Sequence, residues 1–199
     1  MSKGIFIVIE GIDGTGKSTQ AKRLGKWFQS QGREVIISYE PTHGTYGEKL
    51  RHSMTGGRLM PAEELELFIK DRQEHVHTLI QPAIEAGKVV ILDRYYFSTM
   101  AYQGARGFDP QSIREMNESF APIPDLLLIL DLDVDTAHQR IGCRGDSTNE
   151  FEQRDTLARC REVFLSLKDE NFACLIDASA DMDVVTQRIL SAVQASPLS

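Results

Sequence analysis

Five short apolar runs punctuate the chain: Ile5–Ile9, Glu34–Tyr39, Lys88–Leu92, Leu126–Leu130 and Phe172–Ile176. Each is nearly continuous in apolar, β-branched character, the pattern of strands buried on both faces rather than of strands with one wet face. Longer stretches with helical spacing lie between them, at Lys17–Gln31, Pro61–Ala86, Phe97–Gly104, Ser112–Phe120, Val134–Ile141, Gln153–Asp169 and Met182–Ala195. Strands alternating with helices predict right-handed βαβ units and a parallel sheet. The expected architecture is therefore α/β, a three-layer α/β/α sandwich around a five-stranded parallel sheet. One stretch, Gly142–Glu152 (GCRGDSTNEFE), lacks apolar periodicity and reads first as a surface loop.

Composition narrows this picture without redirecting it. The 199 residues suit a single domain, 1–199, with at most a mobile insert, and a 41% hydrophobic content supplies one well-buried core. A formal charge of −7 argues against a broad nucleic-acid or anionic-membrane footprint, which needs an excess of Lys and Arg. Cys143, Cys160 and Cys174 make an odd count with no C-x-x-C spacing. They read as free thiols of a reducing compartment, with a metal or nucleophilic role the weaker alternative. No apolar run approaches the roughly 20 residues that span a bilayer, and no signal-peptide cleavage site follows the first strand. The expectation is a soluble, cytoplasmic protein.

The chemistry begins where the first strand ends. Gly11-Ile12-Asp13-Gly14-Thr15-Gly16-Lys17-Ser18 fits G-x-x-x-x-G-K-[ST], followed by Thr19. Glycines let successive N–H groups turn inward onto phosphate oxygens. Lys17 has the reach for β- and γ-phosphates, and Ser18 is placed to ligate Mg²⁺. The helix opening at Lys17 adds its N-terminal dipole to the same anion. A strand before the motif and a helix after it are the context that marks a P-loop NTPase fold.

A P-loop by itself does not separate kinases from switches, motors or regulators. The N-K-x-D of a GTPase is missing, and the only D-x-x-G, Asp13–Gly16, lies inside the loop. The strand at Lys88–Leu92 runs into Asp93-Arg94-Tyr95 rather than an acidic pair. An acid followed by a base suits a kinase, the acid for metal or nucleophile and the base for the moving phosphoryl group.

Taken together, the chain resembles the thymidylate kinase family over nearly its whole length. The matching segments are Glu10–Thr19, Glu40-Pro41, Glu48-Lys49-Leu50-Arg51, Phe68-Ile69-Lys70-Asp71-Arg72, and Asp93-Arg94-Tyr95 with Ser98, Thr99 and Ala101-Tyr102-Gln103-Gly104. Arg140–Arg144 and Asp177-Ala178-Ser179 complete the set. The resemblance implies a nucleoside monophosphate kinase that passes the γ-phosphoryl group of ATP·Mg to dTMP, and a homodimer. It implies that Phe68 stacks on thymine and that Arg72, one turn on, donates to a thymine carbonyl. Ser98, Thr99 and Gln103 would line the base, Tyr102 would exclude a ribose 2′-OH, and Asp13 would contact the 3′-OH. Arg94 would hold the acceptor phosphate, Pro41 would shape the pocket, and Arg51 is a further phosphate contact. On the donor side Arg140 would stack on adenine near Asp177–Ala180. Ser18 and Asp93 would serve the metal.

From the residues alone, Phe68 fits a core aromatic, since Leu65, Phe68 and Ile69 make an apolar stripe. Tyr102 fits a half-buried helix residue, and Arg140 a surface one. Members of the family carry a catalytic arginine either in the P-loop or in a closing lid. Gly14 occupies the loop position here, so the resemblance moves that role to a lid at about 142–152, with Arg144 as the candidate. The chain departs from the bacterial pattern at Tyr39, where many members have Arg, and at the turn Thr42-His43-Gly44. The expected lid also carries Asp146, Glu150 and Glu152. Rival readings are a kinase for another small nucleotide or nucleoside, and a P-loop regulator without transfer chemistry.

Overall fold

The computed structural model describes residues 3–142 and 150–198. Its strands are β1 (Ile5–Glu10), β2 (Val35–Tyr39), β3 (Val89–Asp93), β4 (Leu126–Asp131) and β5 (Ala173–Asp177), all parallel, in the order β2-β3-β1-β4-β5. The helices are α1 (Lys17–Ser30), α2 (Thr45–Gly56), α3 (Pro61–His75), α4 (Gln81–Glu85), α5 (Tyr96–Gly104), α6 (Pro110–Glu118), α7 (Val134–Gly142), α8 (Glu150–Ser166) and α9 (Met182–Ala195).

Side chains alternate across a strand, so each central strand feeds two cores. Phe6, Val8, Val90, Leu92, Leu127 and Ile129 pack with α5 and α8 on one face. Ile5, Ile7, Ile9, Val89, Ile91, Leu128 and Leu130 pack with α1 and α9 on the other. This two-sided burial explains the unbroken apolar runs of β1, β3 and β4. The same expectation fails for β2 and β5. Both are edge strands, and Ile37 and Leu175 each remain 41% exposed.

Two helical expectations also need correction. The pattern over Pro61–Ala86 is not one α-helix: a π-helical turn, Val76–Ile80, separates α3 from α4. Pro82 lacks the N–H that would continue the ladder, and the amide of Gln81 bonds five residues back to the carbonyl of Val76. Helix α2 has no counterpart in the sequence reading. Its glycines and polar residues hide it, and Gly47 is there because a Cβ would lie 2.1 Å from the Thr42 carbonyl oxygen.

The register brings the functional segments level. Ile9 and Tyr39 both pair with Asp93, and Asp131 pairs with Asp177. The loops after β1, β2, β3 and β5 thus open at one carboxyl edge, where ligands of parallel sheets bind. Helix α7 runs to Gly142 and α8 begins at Glu150, so the ends of the expected lid, 142 and 150–152, are helical. Residues 143–149 lie outside the described residues.

Candidate active site

The loop after β1 takes a shape its glycines permit. Gly11, Gly14 and Gly16 have φ of 140°, 88° and 90°. A Cβ at Gly11 would sit 2.4 Å from the Leu130 carbonyl oxygen, so the backbone turns against β4 with no room for a side chain. Buried Thr15 donates to the Ile12 carbonyl at 2.9 Å and stiffens the turn. Gly16 caps α1, and no acidic side chain stands in the first helical turn to compete for an anion. The buried Lys17 ammonium donates to the carbonyls of Gly11 and Ile12, both at 2.9 Å. Burial, then the charge of Arg94, push its pKa down to about 8. Thr19 lies half-buried in the first turn of α1, its N–H on the Gly16 carbonyl at 3.1 Å.

Ser18 and Asp93 meet across the ends of α1 and β3, the serine hydroxyl donating to Asp93 Oδ2. The other carboxylate oxygen, Oδ1, is buried with no hydrogen-bond partner. Hard oxygens in this arrangement, one of them unpaired, fit a Mg²⁺ that takes its remaining ligands from water and nucleotide phosphates.

A cavity of about 460 Å³ opens beside the loop. It is lined by nine of the ten residues expected on the acceptor side: Asp13, Pro41, Phe68, Arg72, Arg94, Ser98, Thr99, Tyr102 and Gln103. Phe68 and Arg72 reach it together because they are one turn apart on α3. The tenth, Arg51, does not line it. Its guanidinium donates to the carbonyls of Pro41 and Thr42 and lies 5.4 Å from the Tyr39 ring centroid, so it braces the β2–α2 turn from outside. Tyr39, the departure noted above, thus forms a platform for Arg51.

Arg94 stands at the centre. It is the one non-glycine residue with positive φ (72°) among those described, a conformation that strains a side chain with a Cβ. Its guanidinium pairs with Asp13, donates to Ser98 Oγ at 3.2 Å and stacks 5.4 Å from the Tyr102 ring centroid. Burial opposes its charge, yet Tyr102, Asp13 and Glu10 raise its pKa. Burial likewise opposes ionisation of Asp13, but the charges of Arg94 and Lys17 and a hydrogen bond from Tyr102 hold its carboxyl below the usual range. Tyr102 donates to Asp13 Oδ2 at 3.0 Å, which fixes its ring across the cavity.

Arg72 is fully buried and tightly bound. Its Nε donates to Glu40 Oε2 at 2.8 Å, Nη1 to Asn117 Oδ1 at 2.6 Å and Nη2 to Thr99 Oγ1 at 3.0 Å. Glu40 is in turn bonded by His75 Nδ1 at 3.0 Å, and Thr42 is fixed by Asp71 through its N–H (2.8 Å) and hydroxyl (2.6 Å). Gln103 donates to buried Glu64 at 2.8 Å. Sequence reasoning did not single out Glu10, Glu40, Glu64, Asp71, His75 or Asn117 as site residues. Asp71 and Arg72 each lie about one turn before His75, a spacing that could have signalled a shared polar face, but nothing in the sequence connects Asn117 to it.

Arg140, expected on the donor side, spans from the loop to the turn after β5. Nη1 donates to Ala178 O at 3.2 Å and Gly14 O at 3.5 Å, and Nη2 to Ser179 O at 3.4 Å. Arg144 lies outside the described residues. Arg154, at the start of α8, pairs with Asp135 at 2.7 Å.

A parallel sheet with a phosphate loop after its central strand, and an Arg-lined cavity beside it, defines a P-loop phosphotransferase of the nucleoside monophosphate kinase class. Comparison with known proteins specifies which one. The family model described as thymidylate kinase matches residues 9–189. The thymidylate kinase of Akkermansia muciniphila is 50% identical over 191 residues, covering 96% of this chain and 92% of the relative. That of Xanthomonas oryzae pv. oryzae is 50% identical over 185 residues (93% and 81%), and that of Xanthomonas campestris pv. campestris 47% over 193 (97% and 84%). The chain belongs to the thymidylate kinase family.

Proposed function

We propose that this chain transfers the γ-phosphoryl group of ATP to dTMP, giving dTDP and ADP. The observation that carries this reading is the single cavity shared by Phe68, Arg72 and Tyr102 at one end and by Asp13 and Arg94 at the other, beside the phosphate loop. An aromatic face beside a guanidinium suits a flat base with a carbonyl edge, and Arg94 suits the anion at its far end.

The reaction requires alignment more than covalent chemistry. An oxygen of the acceptor phosphate, already ionised at neutral pH, attacks Pγ, and the bond to the ADP oxygen breaks. No strong general base is needed, so Asp93 is assigned to metal and positioning. Ser18 and Asp93 would hold Mg²⁺, which when bound neutralises phosphate charge. Loop N–H groups and Lys17 hold the donor phosphates, Arg140 the adenine side. Arg94 binds the acceptor phosphate, with Asp13 between it and the sugar. Tyr102, fixed by Asp13, favours deoxyribose by its bulk. Arg144, in a lid at about 142–152 of a single domain, supplies the arriving charge. Arg144→Ala lowers kcat with little change in KM for dTMP. An unchanged kcat moves that role to another base.

Cys160 and Cys174 are unpaired, and no described helix is long and apolar enough to cross a membrane. Both fit work in the cytoplasm, as a homodimer by family resemblance. The deciding experiment measures ADP release over a panel of monophosphates. dTMP exceeds dUMP, dCMP and AMP if the reading is right. Equal rates make it a kinase for another nucleotide, and ATP binding without acceptor-stimulated turnover makes it a regulator.

A further inference from the structure

Glu10 closes β1 as the one acid in a strand of six fully buried residues. Such a group is expensive to bury unless its partners are fixed. Those partners all belong to the segment that carries Arg94. Oε1 accepts from the N–H of Tyr95 at 2.7 Å and of Ser98 at 3.0 Å, and Oε2 accepts from Ser98 Oγ at 2.6 Å. The N–H of Arg94 itself goes to the Ile9 carbonyl at 3.1 Å. The last two residues of β1 therefore grip the backbone on both sides of the left-handed turn at Arg94. The grip continues outward, because the Ser98 hydroxyl that donates to Glu10 accepts from Arg94 Nη1 at 3.2 Å. A strained backbone persists only where its surroundings over-determine it, and here Glu10 provides the surroundings.

We propose that Glu10 is the positioning residue that aims the Arg94 guanidinium into the acceptor cavity, acting through the backbone of Tyr95 and Ser98 and the Ser98 hydroxyl. It touches no substrate. Its effect belongs to the acceptor half of the site, whereas the phosphate loop that follows it in sequence serves the donor half. This inference rests on the reading that Arg94 holds the acceptor phosphate.

The test is steady-state kinetics for both substrates on the full chain, with thermal melts, for Glu10→Gln, Ser98→Ala, the double variant and Arg94→Ala. Glutamine keeps an acceptor oxygen for the two amides, so the fold is retained. Its NH₂ meets the Ser98 hydroxyl as a donor, and the negative charge is gone. The expected result is a fall of about 10²-fold in kcat/KM for dTMP, the size of loss that follows a misplacement of about 1 Å. KM for ATP stays within about twofold. Ser98→Ala falls less, and the double variant is no worse than Glu10→Gln, because both act along one chain of contacts. Equal losses for ATP and dTMP, a lowered Tm with unchanged dTMP kinetics, or losses that multiply in the double variant would overturn the inference. Should Glu10→Gln not fold, Glu10→Asp, which keeps the charge but shortens its reach to Tyr95 and Ser98, takes its place: a selective dTMP loss supports the proposal and its absence overturns it. A harmless Glu10→Gln beside a crippled Arg94→Ala sinks this inference alone. An Arg94→Ala with unchanged dTMP kinetics sinks it together with the acceptor reading.

Discussion

Replacing Arg72 by Ala tests the base-reading end of the cavity, and the structure changes what that experiment means. From sequence alone the variant is expected to weaken dTMP binding and little else. In the fold, Arg72 is 1% exposed and its guanidinium is bound by Glu40, Asn117 and Thr99. Its removal strands the Glu40 carboxylate, whose side chain is 3% exposed, against His75 Nδ1 at 3.0 Å. Breaking a buried pair in this way costs about 3–5 kcal/mol. In a chain of 199 residues that lowers Tm by roughly 10 °C. On the proposed reading binding also loses a hydrogen bond from a charged donor to a thymine carbonyl, worth about 1.5–3 kcal/mol, or roughly 10- to 150-fold in KM. The two effects separate in Arg72→Ala/Glu40→Gln, which removes the stranded charge. The double variant melts several degrees above Arg72→Ala while its KM for dTMP stays raised. Calorimetry and kinetics over dTMP, dUMP and dCMP read both quantities. dTMP and dUMP, which share the 4-carbonyl, suffer more than dCMP, which carries an amino group there. Equal losses for all three would mean that Arg72 does not read position 4 of the base, and a wild-type melt for Arg72→Ala would refute the burial argument.

The remaining expectations are simpler. Phe68→Ala removes a stacking surface worth about 1–3 kcal/mol, raising KM for dTMP roughly 5- to 150-fold with KM for ATP unchanged; a matching rise for ATP would return Phe68 to the core. Arg140→Ala does the converse, raising KM for ATP through the lost bridge between Gly14 and the Ala178–Ser179 turn, and a loss confined to dTMP would contradict it. Lys17, with its pKa pushed down to about 8, is charged below that pH and neutral above it. Nucleotide titrations should therefore show ATP affinity falling as pH rises through about 8, a fall that Lys17→Arg flattens. The stability contribution has the opposite sign. Between about 8 and the ordinary value of 10.5 the unfolded chain binds the extra proton, so this group raises the stability of the free protein as pH rises. Parallel profiles for wild type and Lys17→Arg would rule the lysine out.

The sequence by itself determined the local features. The P-loop, the alternation of strand and helix and the three central strands were legible because each depends on neighbours within about one turn or one strand. Phe68 and Arg72 were legible as a pair for the same reason. The tertiary structure decided what depends on residues far apart in the chain. Strands β2 and β5 look like the others in sequence, and only the order β2-β3-β1-β4-β5 puts them at the edges. Arg51 carries the right charge in the right segment, yet Tyr39 and the Pro41–Thr42 carbonyls hold it outside the cavity. Glu40, Thr99 and Asn117 converge on Arg72 from three separate segments, and Glu10 reaches Ser98 from 88 residues away. Hydrogen bonds and buried ion pairs are fixed by distance in space, which sequence periodicity does not encode. For that reason the residues that line the cavity and the phosphate loop could be read from motifs, while those that hold them in place appeared only in the fold.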